Sequence, residues 1–190
     1  MIEVKRTDAL IVVDIQNDFL IGGTLAVPDA DLVIRPINSM LMAFDCLVFS
    51  RDWHPADHCS FDFNPQYKDG SWPAHCIQDS PGAEFPHALR VPVDAIIVNK
   101  GTAPDKEVYS DFEDTGLADI LRKRGITRVF VAGLALDYCI KATALDAVRE
   151  GFITVLVEDA TLAVAPEQTN AVLNELRAAG VTTIRSNCIS

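Results

Sequence analysis

Six short apolar runs recur along the chain, and between them lie stretches with helical spacing or with no period. The runs are Ala9–Val13, Cys46–Phe49, Ala95–Val98, Val129–Ala132, Ile153–Val157 and Val181–Ile184. They are rich in β-branched residues and lack polar alternation, which predicts strands buried on both faces, as in a parallel sheet. Helical spacing follows over Asp29–Phe44, Gly116–Arg124, Tyr138–Val148 and Pro166–Ala179. Pro36 falls inside the first of these and predicts a kink or a later start. Gly125, Gly151 and Gly180 supply the stops of the other three. Strands alternating with helices predict an α/β fold: one open, mostly parallel six-stranded sheet with helices on both faces, Rossmann-like, in a single domain over residues 1–190.

One segment breaks the alternation. From Pro55 to about Pro92 the chain is rich in Pro, Gly, Asp and aromatics and has no period. A loop this long in a compact domain is functional or disordered, and its aromatics and histidines favour function. All four histidines, 54, 58, 75 and 87, sit in it or at its edge.

Composition narrows the classes. With 49% hydrophobic residues the chain can bury a large core. Asp plus Glu number 27 against 16 Lys plus Arg, a net charge of −11, which argues against a nucleic-acid binder. Met1–Asp8 is polar and no apolar run approaches membrane-spanning length, so a cytoplasmic protein without a membrane partner is expected. Five cysteines, an odd number without a CxxC pair, fit free thiols in a reducing compartment.

In open parallel sheets, ligands bind beyond the carboxyl ends of the strands. The polar residues at those ends are Asp14, Asp52 with His54, Lys100, and Cys139. Cys139 falls in the first turn of a helix, where free amides and the helix dipole favour a thiolate and then an oxyanion. A carboxylate could accept the thiol proton and a lysine could hold that carboxylate ionised. Asp14, Lys100 and Cys139 together suit acyl transfer from an amide through a thioester. Asp52, His54 and a histidine from the long loop, His75 or His58, offer a mixed oxygen and nitrogen set suited to one divalent ion, zinc ahead of iron or manganese. Cys46, Cys59, Cys76 and Cys188 read as structural, and His87 has no assigned role.

These stretches resemble the nicotinamidase branch of the isochorismatase-like cysteine hydrolases. The resemblance is carried by Val13–Phe19, Ser50–Pro55 with His58 and Ser60–Phe61, Ser71–Cys76, Asn99–Gly101 and Ala132–Cys139, in family order across nearly the whole chain. It implies deamidation of nicotinamide to nicotinate and ammonia, with pyrazinamide as an adventitious substrate. It implies Asp14, Lys100 and Cys139 as the triad, and Asp52, His54 and His75 on a metal that holds the pyridine nitrogen. Phe19, Trp72, Tyr109 and Tyr138 would line the ring pocket. A cis peptide at Leu134–Ala135 would aim the Ala135 amide at an oxyanion beside the Cys139 amide. Leu136 and Tyr138 depart from, or vary in, the family's pattern beside the carbonyl site. A same-fold amidohydrolase of maleamate or ureido type and a non-enzymatic binding or docking domain are the alternatives, and a homo-oligomer is compatible with either.

Overall fold

A computed structural model describes residues 1–189. These residues form one six-stranded sheet and four α-helices. The strands are β1 (Asp8–Val13), β2 (Cys46–Asp52), β3 (Ile96–Lys100), β4 (Arg128–Leu134), β5 (Ile153–Leu162) and β6 (Thr182–Ile184). The helices are α1 (Ile34–Met40), α2 (Leu117–Lys123), α3 (Lys141–Arg149) and α4 (Thr169–Ala178). The strand order is β3-β2-β1-β4-β5-β6, and every pairing is parallel.

The unbroken apolar runs have a simple cause. Alternate residues of a strand point to opposite faces, and here both faces are covered. Leu10, Val12, Phe130 and Ala132 pack on one side with Ile34, Ile37 and Met40 of α1. Ala9, Ile11, Val13, Val129 and Val131 pack on the other with Leu117 and Leu121 of α2, Ala144 of α3 and Leu176 of α4.

The order reverses between β1 and β4, and this switch point fixes the site. Gly133 pairs with Val13 across the two strands; its φ is +123°, and an added Cβ would lie 2.1 Å from the Val13 carbonyl oxygen. The expected helix over Asp29–Phe44 is divided. A 3-10 turn, Ala30–Val33, leads into α1, and a second, Leu41–Ala43, ends it. Pro36 falls in the first turn of α1, where its missing N–H removes no intrahelical bond. Cys139 lies in a π-helical turn, Leu136–Ile140, that runs straight into α3.

The long loop is ordered by backbone pairing. His54 bridges Ile77, Phe61 bridges Trp72, and a 3-10 turn occupies Pro81–Ala83. Among the described residues no helix is long and apolar enough to cross a membrane.

Candidate active site

Asp14 follows the last residue of β1 and holds a left-handed backbone, φ +49°. Its N–H donates to Ser50 Oγ at 3.2 Å, and the Ser50 hydroxyl donates back to Asp14 Oδ1 at 2.9 Å. Asp52 and Lys100 end β2 and β3 and are paired in register. Lys100 Nζ therefore reaches inward across the sheet end. It lies 2.7 Å from Asp14 Oδ2, donates to Asp52 Oδ1, and approaches Cys139 Sγ at 3.4 Å. All four residues are buried. The three side chains singled out for nucleophilic chemistry thus meet at one point, from the ends of three strands.

Charge balance shapes this cluster. Burial raises the Asp14 carboxyl above the ordinary carboxylate range; Lys100 opposes that, and Asp52 adds to it. Burial works against the Lys100 ammonium, yet Asp14 and Asp52 outweigh it and hold the group charged, well above the usual lysine range. For Asp52, burial favours the neutral acid, but Lys100 and His54 override it and keep the carboxylate ionised.

Cys139 departs from expectation. The helix start predicted a thiolate, but burial first, and then Asp14 and Asp52, push the thiol well above its usual range, with Lys100 pulling the other way. Burial thus favours the neutral thiol, with the Asp14 carboxylate as its nearby acidic partner.

Beside the thiol lie Asp52, His54 and His75, whose donor atoms fall within 4.8 Å of one another. Neighbours fix both rings. His54 Nδ1 bonds the Gly101 carbonyl at 2.9 Å, and His75 Nδ1 bonds the Pro73 carbonyl at 2.8 Å. A carbonyl only accepts, so each Nδ1 carries the proton and a neutral ring then presents its Nε2 lone pair; for His54, burial favours that neutral form, but Asp52 outweighs it and raises the imidazole above its usual range. Those Nε2 atoms face Asp52 Oδ2 at 3.7 and 3.9 Å. Burial pushes His75 down to about 4, so it is neutral at pH 7, as a metal ligand must be. One carboxylate oxygen and two imidazole nitrogens form a candidate site for a divalent metal.

His58 is placed differently. Its ring stacks on His54 at 4.1 Å, while Nδ1 meets Ser60 Oγ at 2.8 Å and Nε2 meets the Lys106 carbonyl at 3.1 Å. It can join His54 and Glu107 in a neighbouring donor group, but its two nitrogens already have protein partners.

One cavity brings these parts together. Cys139, Ala135, Asp52 and His75 line it, and so do Phe19, Trp72, Tyr109 and Tyr138. Trp72 Nε1 donates to Tyr109 Oη at 3.1 Å, Tyr109 donates to Asp69 at 2.7 Å, and the Trp72 and Tyr138 rings meet edge to face at 5.0 Å. The Leu134–Ala135 peptide is cis, as the resemblance implied.

Several contributors carry no sequence signal of their own. Gln16 clamps Asp52 with its side-chain amide, donating to the Asp52 carbonyl and accepting from the Asp52 N–H, each at 2.8 Å. Asp18 accepts from the Cys76 N–H at 2.7 Å and so anchors the residue next to His75. Leu25, Val27, Glu107 and Val164 complete the cavity wall. Gln16 and Asp18 lie in the Val13–Phe19 stretch that carries the resemblance, which named no role for either.

Residues 8–188 match the isochorismatase domain. The chain belongs to the isochorismatase family. Within that family it is 39% identical over 189 residues to the nicotinamidase/pyrazinamidase of Mycobacterium tuberculosis, covering 94% of this chain and 99% of that one. It is 36% identical to the nicotinamidase of Escherichia coli, with 92% of each chain covered. A pyrazinamidase of Pyrococcus horikoshii, solved in complex with zinc, superposes with a TM-score of 0.87 at 44% identity, over 94% of this chain and 99% of that one. A protein from L. infantum, solved in complex with nicotinate, superposes with a TM-score of 0.91 at 38% identity, over 100% and 98% of the two chains.

Proposed function

We propose that this isochorismatase-family protein is a metal-containing nicotinamidase, hydrolysing nicotinamide to nicotinate and ammonia and accepting pyrazinamide as well. The observation that carries this reading is the meeting of Asp14 and Lys100 with Cys139, which opens onto an aromatic-walled cavity lined also by Asp52 and His75. Its similarity to nicotinamidases over nearly its whole length supports the same substrate.

The residues divide the work. Cys139 Sγ attacks the carboxamide carbon as Asp14 takes the thiol proton. The developing oxyanion meets the backbone amides of Ala135 and Cys139. Asp14 returns the proton to nitrogen, the C–N bond breaks, and ammonia leaves a thioester on Cys139. Asp14 then activates water, which hydrolyses the thioester and releases nicotinate. Lys100 keeps Asp14 ionised in the resting site and offsets the charge moving between carboxylate and sulfur. Phe19, Trp72, Tyr109 and Tyr138 hold a flat ring by stacking and edge contacts.

Asp52, His54 and His75 would hold the divalent ion, and zinc suits two imidazoles and a carboxylate with water completing its shell. Such an ion supplies a Lewis-acid anchor for the ring nitrogen, directly or through bound water. We read residues 1–190 as a single hydrolase domain working in the cytoplasm, where five unpaired cysteines stay reduced.

The test is ammonia release from nicotinamide, pyrazinamide, maleamate and ureido compounds, with metal content measured on the same sample. Turnover of the two ring amides by protein carrying about one metal per chain is expected. Turnover of only the linear amides, or active protein free of metal, overturns the reading.

A further inference from the structure

The pairing of β4 with β5 runs to Leu134 opposite Leu162 and stops there, because β4 gives way to the π-helical turn Leu136–Ile140. The chain beyond Leu162 has lost its neighbour strand, yet its amides are taken up by one side chain of that turn. The Val164 N–H donates to Asp137 Oδ1 and the Ala165 N–H to Asp137 Oδ2, each at 2.9 Å. One oxygen per amide fixes orientation as well as distance.

Both ends of this clamp bear on the site. Asp137 stands in the turn between Ala135 and Cys139, the residues whose amides are assigned to the oxyanion. Val164 is a wall of the substrate cavity, together with Ala135, Tyr138 and Cys139. Asp137 itself lines the adjoining groove and not the cavity, so it acts on a bound ring only through Val164. Among the described residues neither β4 nor β6 pairs with the chain after Leu162. The cavity has a volume of about 30 Å³, room for about two water molecules. In so narrow a slot, a small shift of one wall changes which ring enters.

We propose that Asp137 is a specificity-determining positioning residue: its carboxylate holds Val164 at a fixed distance from the Cys139 turn and so sets the width of the ring slot. Clamped, the Val164 wall grips a single six-membered ring and refuses a fused bicyclic one. Without the clamp the wall gives, and grip on the small ring is exchanged for tolerance of the larger. A carboxylate that served stability alone would affect both rings alike, because selectivity is a difference between two substrates at one site.

This inference rests on the amidase reading, and the experiment has one arm that does not. Cys139 is alkylated with iodoacetamide and, separately, with its N-naphthyl derivative, and modification of the Cys139 peptide is followed by mass spectrometry. Asp137→Ala should raise the naphthyl-to-parent rate ratio about tenfold. An unchanged ratio overturns the proposal whether or not any amide is hydrolysed. The second arm compares nicotinamide with quinoline-3-carboxamide as substrates of the metal-loaded wild type, Asp137→Asn and Asp137→Ala. In Asp137→Ala, kcat/KM for nicotinamide should fall about tenfold, mainly through KM, as for a lost binding contact. The bicyclic-to-monocyclic ratio of kcat/KM should rise about tenfold. Asp137→Asn, which keeps one carbonyl acceptor, should lie between. Equal losses for the two amides, or a loss confined to kcat, contradict the clamp. If the wild type hydrolyses neither amide, the amidase reading fails and the alkylation ratio still decides the clamp. If Asp137→Ala does not fold, both arms are read on Asp137→Asn, where wild-type ratios contradict the proposal.

Discussion

Lys100 Nζ stands 3.4 Å from Cys139 Sγ while it also pairs with the Asp14 carboxylate at 2.7 Å. One buried cation thus touches both the sulfur proposed to give up a proton and the carboxylate proposed to receive it. Lys100→Met removes that shared counter-charge and leaves Asp14 and Asp52 facing each other in the interior. The expected loss is at least about 100-fold in kcat, together with about 3–5 kcal/mol of stability, as for other broken buried pairs. Steady-state kinetics and urea unfolding of the same preparation check both.

The pH dependence follows from the Asp14–Cys139 pair. In the proposed mechanism the active form carries one proton on the pair, as thiol plus carboxylate. Burial raises both groups above their ordinary ranges. As pH falls, Asp14 gains a proton and can no longer act as base, so the acid limb of kcat/KM lies above the usual carboxylate range. As pH rises, the pair loses its single proton and an alkaline limb appears. Both apparent values belong to the pair. An acid limb at or below the ordinary Asp value of 3.8 contradicts a raised Asp14.

Gly101 packs directly against His54 of the candidate metal site. A Cβ there would lie 2.4 Å from His54 Cε1, at a φ of +62°. Gly101→Ala must push the His54 ring away and disturb its bond to the Gly101 carbonyl. Metal affinity should fall about 10- to 100-fold, the usual cost of losing a partner that orients a ligand. Competition with a chromophoric chelator measures this, and chelated wild type should lose ring-amide turnover and regain it when the ion is restored.

The switch point gives a stability prediction. Gly133→Ala drives a methyl into the Val13 carbonyl of the neighbouring strand, at a contact of 2.1 Å, in the left-handed half of backbone space. Destabilisation of about 3 kcal/mol or more is expected, since neither backbone can yield. Chemical denaturation reads it directly.

The sequence made the strand ends legible because burial on both faces leaves a clear apolar run. Asp14, Lys100 and Cys139 could then be placed by the rule that strand carboxyl ends share one edge. It did not reveal the roles of Ser50 and Gln16, though both lie in stretches that carry the resemblance. Ser50 follows an apolar run but is a small neutral residue, and Gln16 acts through a backbone clamp. Each acts on a partner 36 positions away. The thiol was misjudged for a related reason. A helix start is visible locally, whereas the carboxylates that surround Cys139 arrive from separate strands. Pro36 predicted a kink or a later start, and the α-helix does start later, at Ile34, but Pro36 did not predict that short 3-10 turns would stand at both ends of α1.

The most direct measurement is ammonia release from nicotinamide by metal-loaded wild type and by Cys139→Ala, with folding of both verified by circular dichroism. The mechanism predicts that the variant folds, binds the ring, and releases ammonia at least about 1,000-fold more slowly, since loss of a covalent nucleophile leaves only binding and electrostatic help. A folded Cys139→Ala protein that turns nicotinamide over within tenfold of wild type would contradict it.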